Sequence, residues 1–199
     1  SRQLNDPYVS EAQKRGYRSR SAFKLLQINE KFNLLKSGMV IIDLGCAPGG
    51  WLQVITEKIN KNRKGQLIGI DLLDTDILPN VEILKGDIND ENILSQINKI
   101  LNGKKVNGVV SDMAADTTGH RPTDHLRTTM LLESAIDIAK DFLDENGFFL
   151  GKCFKGGAEA SVLETLNKSF KVVKHVKPDA SRKESVESYV LAMHYKNKT

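Results

Sequence analysis

The chain has 199 residues, 40% of them hydrophobic and 27% charged, with 15 Gly and 5 Pro, which suits one compact globular unit and makes a second full domain unexpected. No stretch approaches the ~20 uninterrupted apolar residues of a membrane helix, and no charged-then-apolar leader opens the chain. Cys46 and Cys153 are too few for a disulfide scaffold and lack the spacing of a zinc site. The net charge of +4 is unevenly spread: residues 1–36 carry 8 Lys/Arg against 3 Asp/Glu, residues 152–199 carry 10 against 5, and the stretch between them holds 11 against 17. Basic ends around an acidic middle point to a polyanionic partner. The chain opens on Ser1 rather than Met, which is compatible with a removed targeting segment, so the expected compartment is intracellular and reducing, cytoplasmic or mitochondrial.

In chain order, the first helical pattern runs over Ser19–Phe32. Short β-branched runs then alternate with longer amphipathic ones, the pattern of an α/β fold. The predicted strands are Met39–Asp43, Gln66–Asp71, Val81–Lys85, Val106–Ser111, Gly147–Cys153, Phe170–His175 and Ser188–His194. Between them the periodicity predicts helices over Gly50–Asn60, Glu91–Leu101, Arg127–Leu143 and Ala158–Lys168. Leu131, Leu132, Ala135, Ile138, Ala139 and Phe142 fall on one face of the fourth of these five helices, which should pack on the sheet. Asn146-Gly147 supplies turn chemistry after it. The segment Val176–Glu187 is polar and interrupted by Pro178, so the last two strands are expected to form an antiparallel hairpin.

The first strand runs into Asp43-Leu44-Gly45-Cys46-Ala47-Pro48-Gly49-Gly50-Trp51, a glycine-rich turn opening a helix, where open α/β sheets bind ligands. A dinucleotide fingerprint fails because Ala47 fills the second glycine position and Pro48 has no N–H. A phosphate loop fails because no G-K-[ST] follows. An acid at the strand end suits a ligand with a cationic or hydroxyl-bearing head, and S-adenosylmethionine has both; a plain tight turn is the alternative. Asp71 ends the second strand 22 residues after Gly49, near the ~20-residue offset at which a carboxylate accepts from ribose hydroxyls. Asp87 follows the third strand, placed to accept from an adenine amino group, and Asp112 ends the fourth. Each alone reads equally well as a helix cap or loop aspartate, but four carboxylates at the ends of four strands are expected to face one crevice. Lys152 lies on an apolar strand, where an unpartnered ammonium is expensive; Lys24 and Glu187 read as surface charges when taken singly.

From about Lys14 to Tyr195 the chain resembles the FtsJ family of ribosomal RNA ribose 2′-O-methyltransferases. The resemblance is carried by Gly16-Tyr17-Arg18-Ser19-Arg20-Ser21-Ala22-Phe23-Lys24-Leu25, by the turn Asp43–Trp51, by Ser111-Asp112-Met113-Ala114 and by Lys177-Pro178-Asp179-Ala180-Ser181-Arg182. It implies a class I methyltransferase (Rossmann-like) fold over residues 1–199: a basic N-terminal segment and first helix in 1–36, and a core in 37–195. The implied sheet has seven strands, mostly parallel, with an antiparallel last strand and helices on both faces. It also implies a catalytic quartet of Lys24, Asp112, Lys152 and Glu187, with Lys152 as proton acceptor. The implied cofactor is S-adenosylmethionine, at Gly49, Trp51, Asp71, Asp87 and Asp112, joined by Gly45 and Gly50 of the same turn. Ala115 stands where many members have Pro, and the following Asp116–Arg121 is unusually polar.

The implied reaction is 2′-O-methylation of a ribose, a uridine by family analogy, in large-subunit ribosomal RNA. The partner is then ribosomal RNA or the large subunit, met by a monomer, with no membrane. RNA would lie across the crevice on phosphate contacts from Arg15, Arg18, Arg20 and Arg182; for Arg182 a solvated hairpin loop reads equally well. At 6% aromatic residues a broad stacking platform is not expected. His120, Asp124 and His125 sit in a polar loop and no metal is expected. Cys46 and Cys153 belong to strands two spacings apart, ~9.6 Å, too far for a disulfide. The rival readings are a cap or transfer-RNA ribose methyltransferase, a small-molecule methyltransferase, and a non-catalytic RNA-binding assembly factor.

Overall fold

The computed structural model describes residues 5–154 and 158–197. Its elements run α1 (Pro7–Arg15), α2 (Ala22–Phe32), β1 (Val40–Leu44), α3 (Gly50–Ile59), β2 (Gln66–Asp71), β3 (Val81–Lys85), α4 (Glu91–Leu101), β4 (Val106–Ser111), α5 (Arg121–Phe142), β5 (Leu143–Phe154), α6 (Ala160–Ser169), β6 (Phe170–Val176) and β7 (Glu187–Tyr195). The strands form one sheet in the order β3-β2-β1-β4-β5-β7-β6. Pairings from β3 through β5 are parallel, and β7 runs antiparallel to both β5 and β6. This is the seven-stranded class I methyltransferase arrangement expected, with β7 inserted between β5 and β6.

Side-chain alternation along each strand sends apolar residues to two separate cores. Ile42, Leu44, Ile68, Ile70, Val109 and Phe149 pack with α4, α5 and α6. Ile41, Leu67, Val110, Leu150, Tyr189 and Leu191 pack with α1, α2 and α3. The same alternation places Asp43, Lys152 and Tyr189 on the α1–α3 face.

The structure departs from the sequence-based elements in three places. Helix α1 leaves no apolar period in the sequence, since only Ala12 of its nine residues is buried. Its ends are nonetheless marked: Asp6 caps the first turn by accepting from Tyr8 N, Pro7 opens the helix, and Gly16 ends it at φ 75°, the asymmetry expected of helix termini. Helix α5 begins at Arg121 rather than Arg127. His120 caps it, Pro122 sits in its first turn, and Asp124 accepts from Thr118 N and Oγ1 at 2.9 and 2.7 Å. The periodicity hid residues 121–126 because their one large apolar side chain, Leu126, is exposed. Strand β5 begins at Leu143, ahead of the Asn146-Gly147 turn; that turn forms an irregularity within the strand, where pairing jumps from Val106↔Leu143 to Gly108↔Phe148.

Gly108 sits on β4 opposite Phe148. A methyl group there would come within 2.4 Å of Phe148 Cζ and 3.0 Å of Ile41 Cδ1. Glycine therefore lets the Phe148 ring cross the central strand. Gly108→Ala should cost about 1–3 kcal/mol through overpacking, read as a lower midpoint in urea or thermal unfolding. An unchanged midpoint would show that the ring gives way freely.

Candidate active site

A cleft of about 660 Å³ opens at the C-terminal ends of β1, β2, β3 and β4, lined among others by Gly45, Asp71, Leu72, Asp87, Asp112 and Met113. The glycine turn is held down at its start, where the N–H groups of Gly45 and Cys46 donate to Ile70 O at 2.8 and 3.1 Å. Gly45 has φ +74°, and a methyl group on it would meet Met113 Cγ at 2.3 Å. Glycine thus allows both the left-handed backbone and the close approach of the 112–116 loop. Asp71 braces the other side: its carboxylate accepts from Ala47 N and Leu73 N, both at 2.8 Å. Each of its oxygens keeps a lone pair for a ligand hydroxyl. Asp87 accepts from Asn89 N at 2.8 Å in an Asx turn and is exposed at the rim.

The expectation of four carboxylates facing one crevice holds for Asp71, Asp87 and Asp112 but not for Asp43. Asp43 is fully buried, paired in register with Gly69 and Val110, and neither oxygen has a hydrogen-bond partner among the described residues. Burial pushes its carboxyl well above the usual range, and the charges of Asp112 and Asp71 push it the same way. Gly49, Gly50 and Trp51 do not line the cleft either. Gly50 packs on Ser19, and the Trp51 indole is buried, donating to Ser21 O at 2.9 Å and lying 5.8 Å from the Tyr189 ring.

Beside the cleft, chain segments far apart in sequence bring the other charges together. Lys24, on the buried face of α2, bonds Glu187 at the start of β7. Lys152 on β5 lies 3.2 Å from Asp112 Oδ1 and 3.3 Å from Glu187 Oε2. Tyr189 pairs with Lys152 in register and donates to Asp112 Oδ1 at 2.6 Å and to Glu187 Oε1 at 3.2 Å. Burial pulls the Lys152 ammonium toward its neutral form, but Asp112 and Glu187 outweigh it and raise its pKa above 10.5. Burial likewise pushes Glu187 up, while Lys152 and Lys24 prevail and hold it below 4.5. The Tyr189 hydroxyl is raised well above 10 by burial and by the same two carboxylates, so it stays a donor.

Tyr189 is the member of this cluster that sequence reading missed. A tyrosine in a Tyr-Val-Leu-Ala strand reads as core, and only the alternation from Glu187 to Tyr189, on one face of β7, could have flagged it. The arginines expected to grip phosphates are placed differently from expectation. Arg18 donates to three main-chain carbonyls. Arg20 donates to Ala180 O at 2.7 Å and makes a 3.0 Å charge contact with Asp6 whose N–H geometry falls short of a hydrogen bond. Arg182 also reaches Asp6, at 3.2 Å, but is more exposed. Arg15 is exposed over the Tyr17 and Phe23 rings. His120 and His125 are engaged with Thr123 and Glu159. Both cysteines are free and buried, with thiols pushed up to about 12 for Cys46 and about 11 for Cys153, chiefly by burial.

The FtsJ-like methyltransferase family model matches residues 17–195. The chain belongs to this family. A ribosomal RNA large subunit methyltransferase E of Bartonella bacilliformis is 51% identical over 199 residues, covering all of this chain and 83% of its own length. A protein of the same name from Rhodopseudomonas palustris is 48% identical over 98% of this chain and 83% of its own. Among solved structures, a protein of Plasmodium falciparum described as a candidate ribosomal RNA methyltransferase superposes with a TM-score of 0.81 at 32% identity, covering 92% of this chain and all of its own. A more distant methyltransferase-like protein of Streptococcus mutans, solved with S-adenosylhomocysteine, shares the fold at a TM-score of 0.54 and 12% identity, covering 85% of this chain and 96% of its own.

As an FtsJ-like methyltransferase, the protein takes its methyl group from S-adenosylmethionine. The cleft fits such a donor: its size lies within the range of small-molecule sites, and its lining combines the carboxylates Asp71, Asp87 and Asp112 with the apolar Leu72, Leu73 and Met113. The buried Asp43 makes a separate prediction. Its folded pKa is raised above 3.8, so the carboxyl favours the fold in its protonated form, and that advantage is lost as pH rises from 3.8 through the folded value. Asp43→Asn should therefore unfold at a higher temperature than wild type at pH 7, and the gap should close as the pH falls toward 3.8. A variant less stable at pH 7 than at pH 4 relative to wild type would reverse this assignment.

Proposed function

We propose that the protein transfers a methyl group to the 2′-hydroxyl of a ribose, in a uridine, of large-subunit ribosomal RNA. One observation supports this reading above the others: Asp112 lines the cleft and also touches Lys152 and Tyr189. Donor site and proton-handling site thus share one carboxylate. The names of the relatives agree on the RNA, and the setting is intracellular, with the ribosome. No helix among the described residues is long and apolar enough to cross a membrane. Methyl transfer from labelled S-adenosylmethionine to isolated large subunits, followed by mapping of the modified nucleotide, tests the reading. A methylated base, or no transfer to RNA, would overturn it.

A ribose hydroxyl is a poor nucleophile that must lose its proton as it attacks. S-Adenosylmethionine supplies an electrophilic sulfonium methyl when bound. On this proposal Asp71 accepts from the donor's ribose hydroxyls and Asp87 accepts from its adenine amino group, while Gly45 and the main chain of Gly49, Gly50 and Trp51 form the turn beneath. Lys152 handles the proton and the developing oxyanion. Lys24 holds Glu187 in place, and Tyr189 donates to both carboxylates and so keeps them oriented toward the two lysines.

Lys152 rests as an ammonium because Asp112 and Glu187 raise its pKa, and an ammonium cannot accept a proton. Asp112 resolves this. Its carboxylate is shared with any cation bound in the cleft, so Lys152 then loses part of the pull that keeps it charged. The O–H proton would pass to the neutral amine as the methyl carbon bonds the ribose oxygen and its bond to sulfur breaks, the electron pair staying on the departing thioether, and Glu187 and Asp112 would stabilise the ammonium that results. Arg15 and Arg182 are the proposed phosphate contacts; Arg18 and Arg20 are withdrawn from that role because carbonyls and Asp6 already engage them.

Single-turnover methylation should rise about tenfold per pH unit below the working pKa of Lys152. It should level off once the pH passes that pKa, which a bound cation draws downward from its value in the free protein. Lys152→Ala should be slower by a factor on the order of 100 to 10,000 and should lose the slope, with RNA affinity little changed and donor affinity not weakened. A rate that is flat with pH, together with near-normal turnover by Lys152→Ala, would hand the proton to another group.

A further inference from the structure

Arg18 sits between α1 and α2 in the basic N-terminal segment. The segment is pinned to α3 before its side chain is considered: Arg18 N donates to Gln53 Oε1 at 2.8 Å, and Gln53 Nε2 donates back to Gly16 O at 2.9 Å. The guanidinium then spans two separate stretches of backbone. Nη1 donates to Pro48 O at 3.2 Å and to Asp76 O at 2.7 Å, and Nη2 donates to Ile77 O at 2.9 Å. Pro48 belongs to the glycine turn; Asp76 and Ile77 belong to the loop after β2. Arg18 makes no ion pair among the described residues, and all three of these acceptors are carbonyls.

Two features show that the fold accommodates this bridge. Gly49 has φ +120°, and a methyl group on it would meet Arg18 Nη1 at 2.6 Å, so the guanidinium lies directly against the turn. Much of the loop it reaches stands free of the core: Leu72, Leu73 and Ile77 are 65%, 69% and 88% exposed, and its other anchors include Leu78, packed against the core, the Thr75–Cys46 contact at 3.6 Å and the exposed Asp74–Lys85 pair. Leu72 and Leu73 nevertheless line the cleft. A planar fork with several fixed donors can hold carbonyls on two segments at once, and a single ammonium cannot.

We propose that Arg18 is a positioning residue for the methyl donor, bridging the glycine turn to the loop after β2 and so fixing where Leu72 and Leu73 stand along the cleft. The proposal rests on the cleft being the donor site. It assigns to this arginine a task unlike phosphate binding, although it lies in the basic N-terminal segment where RNA contacts would be sought.

The test uses the intact protein, with S-adenosylhomocysteine as the calorimetric probe. Arg18→Ala should bind it about tenfold or more weakly, as follows from the loss of charge-assisted hydrogen bonds. Arg18→Lys, which keeps the charge but not the fork, should restore only part of that loss. Amide exchange across residues 72–80 should speed up in both variants. The KM for S-adenosylmethionine should rise while kcat stays within about threefold of wild type. RNA affinity and its salt dependence should not move.

Unchanged affinity for S-adenosylhomocysteine in a folded Arg18→Ala protein would overturn the proposal. So would weakened RNA binding with a salt slope flatter by about one counterion, which would make Arg18 a phosphate contact. If Arg18→Ala does not fold, Arg18→Lys carries the test, and wild-type affinity in that variant would count against the bridge. A wild-type protein that binds no S-adenosylhomocysteine would remove the donor-site reading, and the proposal with it.

Discussion

Burying Lys24 and Lys152 without partners would cost several kcal/mol per ion, and the fold meets that cost by bringing Asp112 and Glu187 from other elements to the same place. Each lysine touches Glu187, Lys152 also touches Asp112, and Tyr189 donates to both acids. Removing any one of the four charges leaves the cluster unbalanced in the interior, so it is also a constraint on docking. Lys24 and Glu187 are separated by 163 residues, and their contact ties the second helix to the last strand of the sheet. Chemistry and topology depend on the same four charges.

The sheet makes this cluster geometrically economical. Strand β7 runs antiparallel between β5 and β6, so its first residues stand beside the last residues of β5. That reversal is what puts Glu187 at the end of the sheet where β1, β2 and β4 terminate. Had β7 run parallel to β5, its start would lie at the opposite end of the sheet, far from Asp112. Alternation then selects the α1–α3 face for Lys152 and Tyr189, which is the face that α2 covers.

The strands, the glycine turn and Lys152 were legible in the sequence because each leaves a local signature, whereas Lys24 and Glu187 read singly as surface charges and were grouped with Asp112 and Lys152 only through the family resemblance. The β-branched runs have a period, the turn has its glycines, and a lysine in an apolar strand is conspicuous. What was not legible depends on which partner a side chain finds. Asp43 and Asp71 both stand at strand ends, yet one is sealed within the sheet and the other opens on the cleft. Arg18 and Arg20 were counted as free positive charge, but a charge count does not distinguish a guanidinium that meets solvent from one that bonds carbonyls or Asp6. Helix α1 and the start of α5 escape the apolar period for a related reason: their ends carry capping residues, while their exposed faces blur that period.

Asp112 joins the two halves of the site, and that has a thermodynamic consequence. If a cation in the cleft lowers the pKa of Lys152 by drawing on their shared carboxylate, linkage requires the reverse effect with the same magnitude. Deprotonating Lys152 removes a competitor for Asp112, so donor affinity must strengthen as pH rises through the titration of that lysine. Neutral S-adenosylhomocysteine sulfur carries no such charge, and its affinity is free of that part of the coupling. The product is then released from a site in which Asp112 has returned to Lys152, whose ammonium is again held by both carboxylates. On the proposed assignment, one carboxylate links the charge of the bound donor to the readiness of the base, and methyl transfer resets the pair.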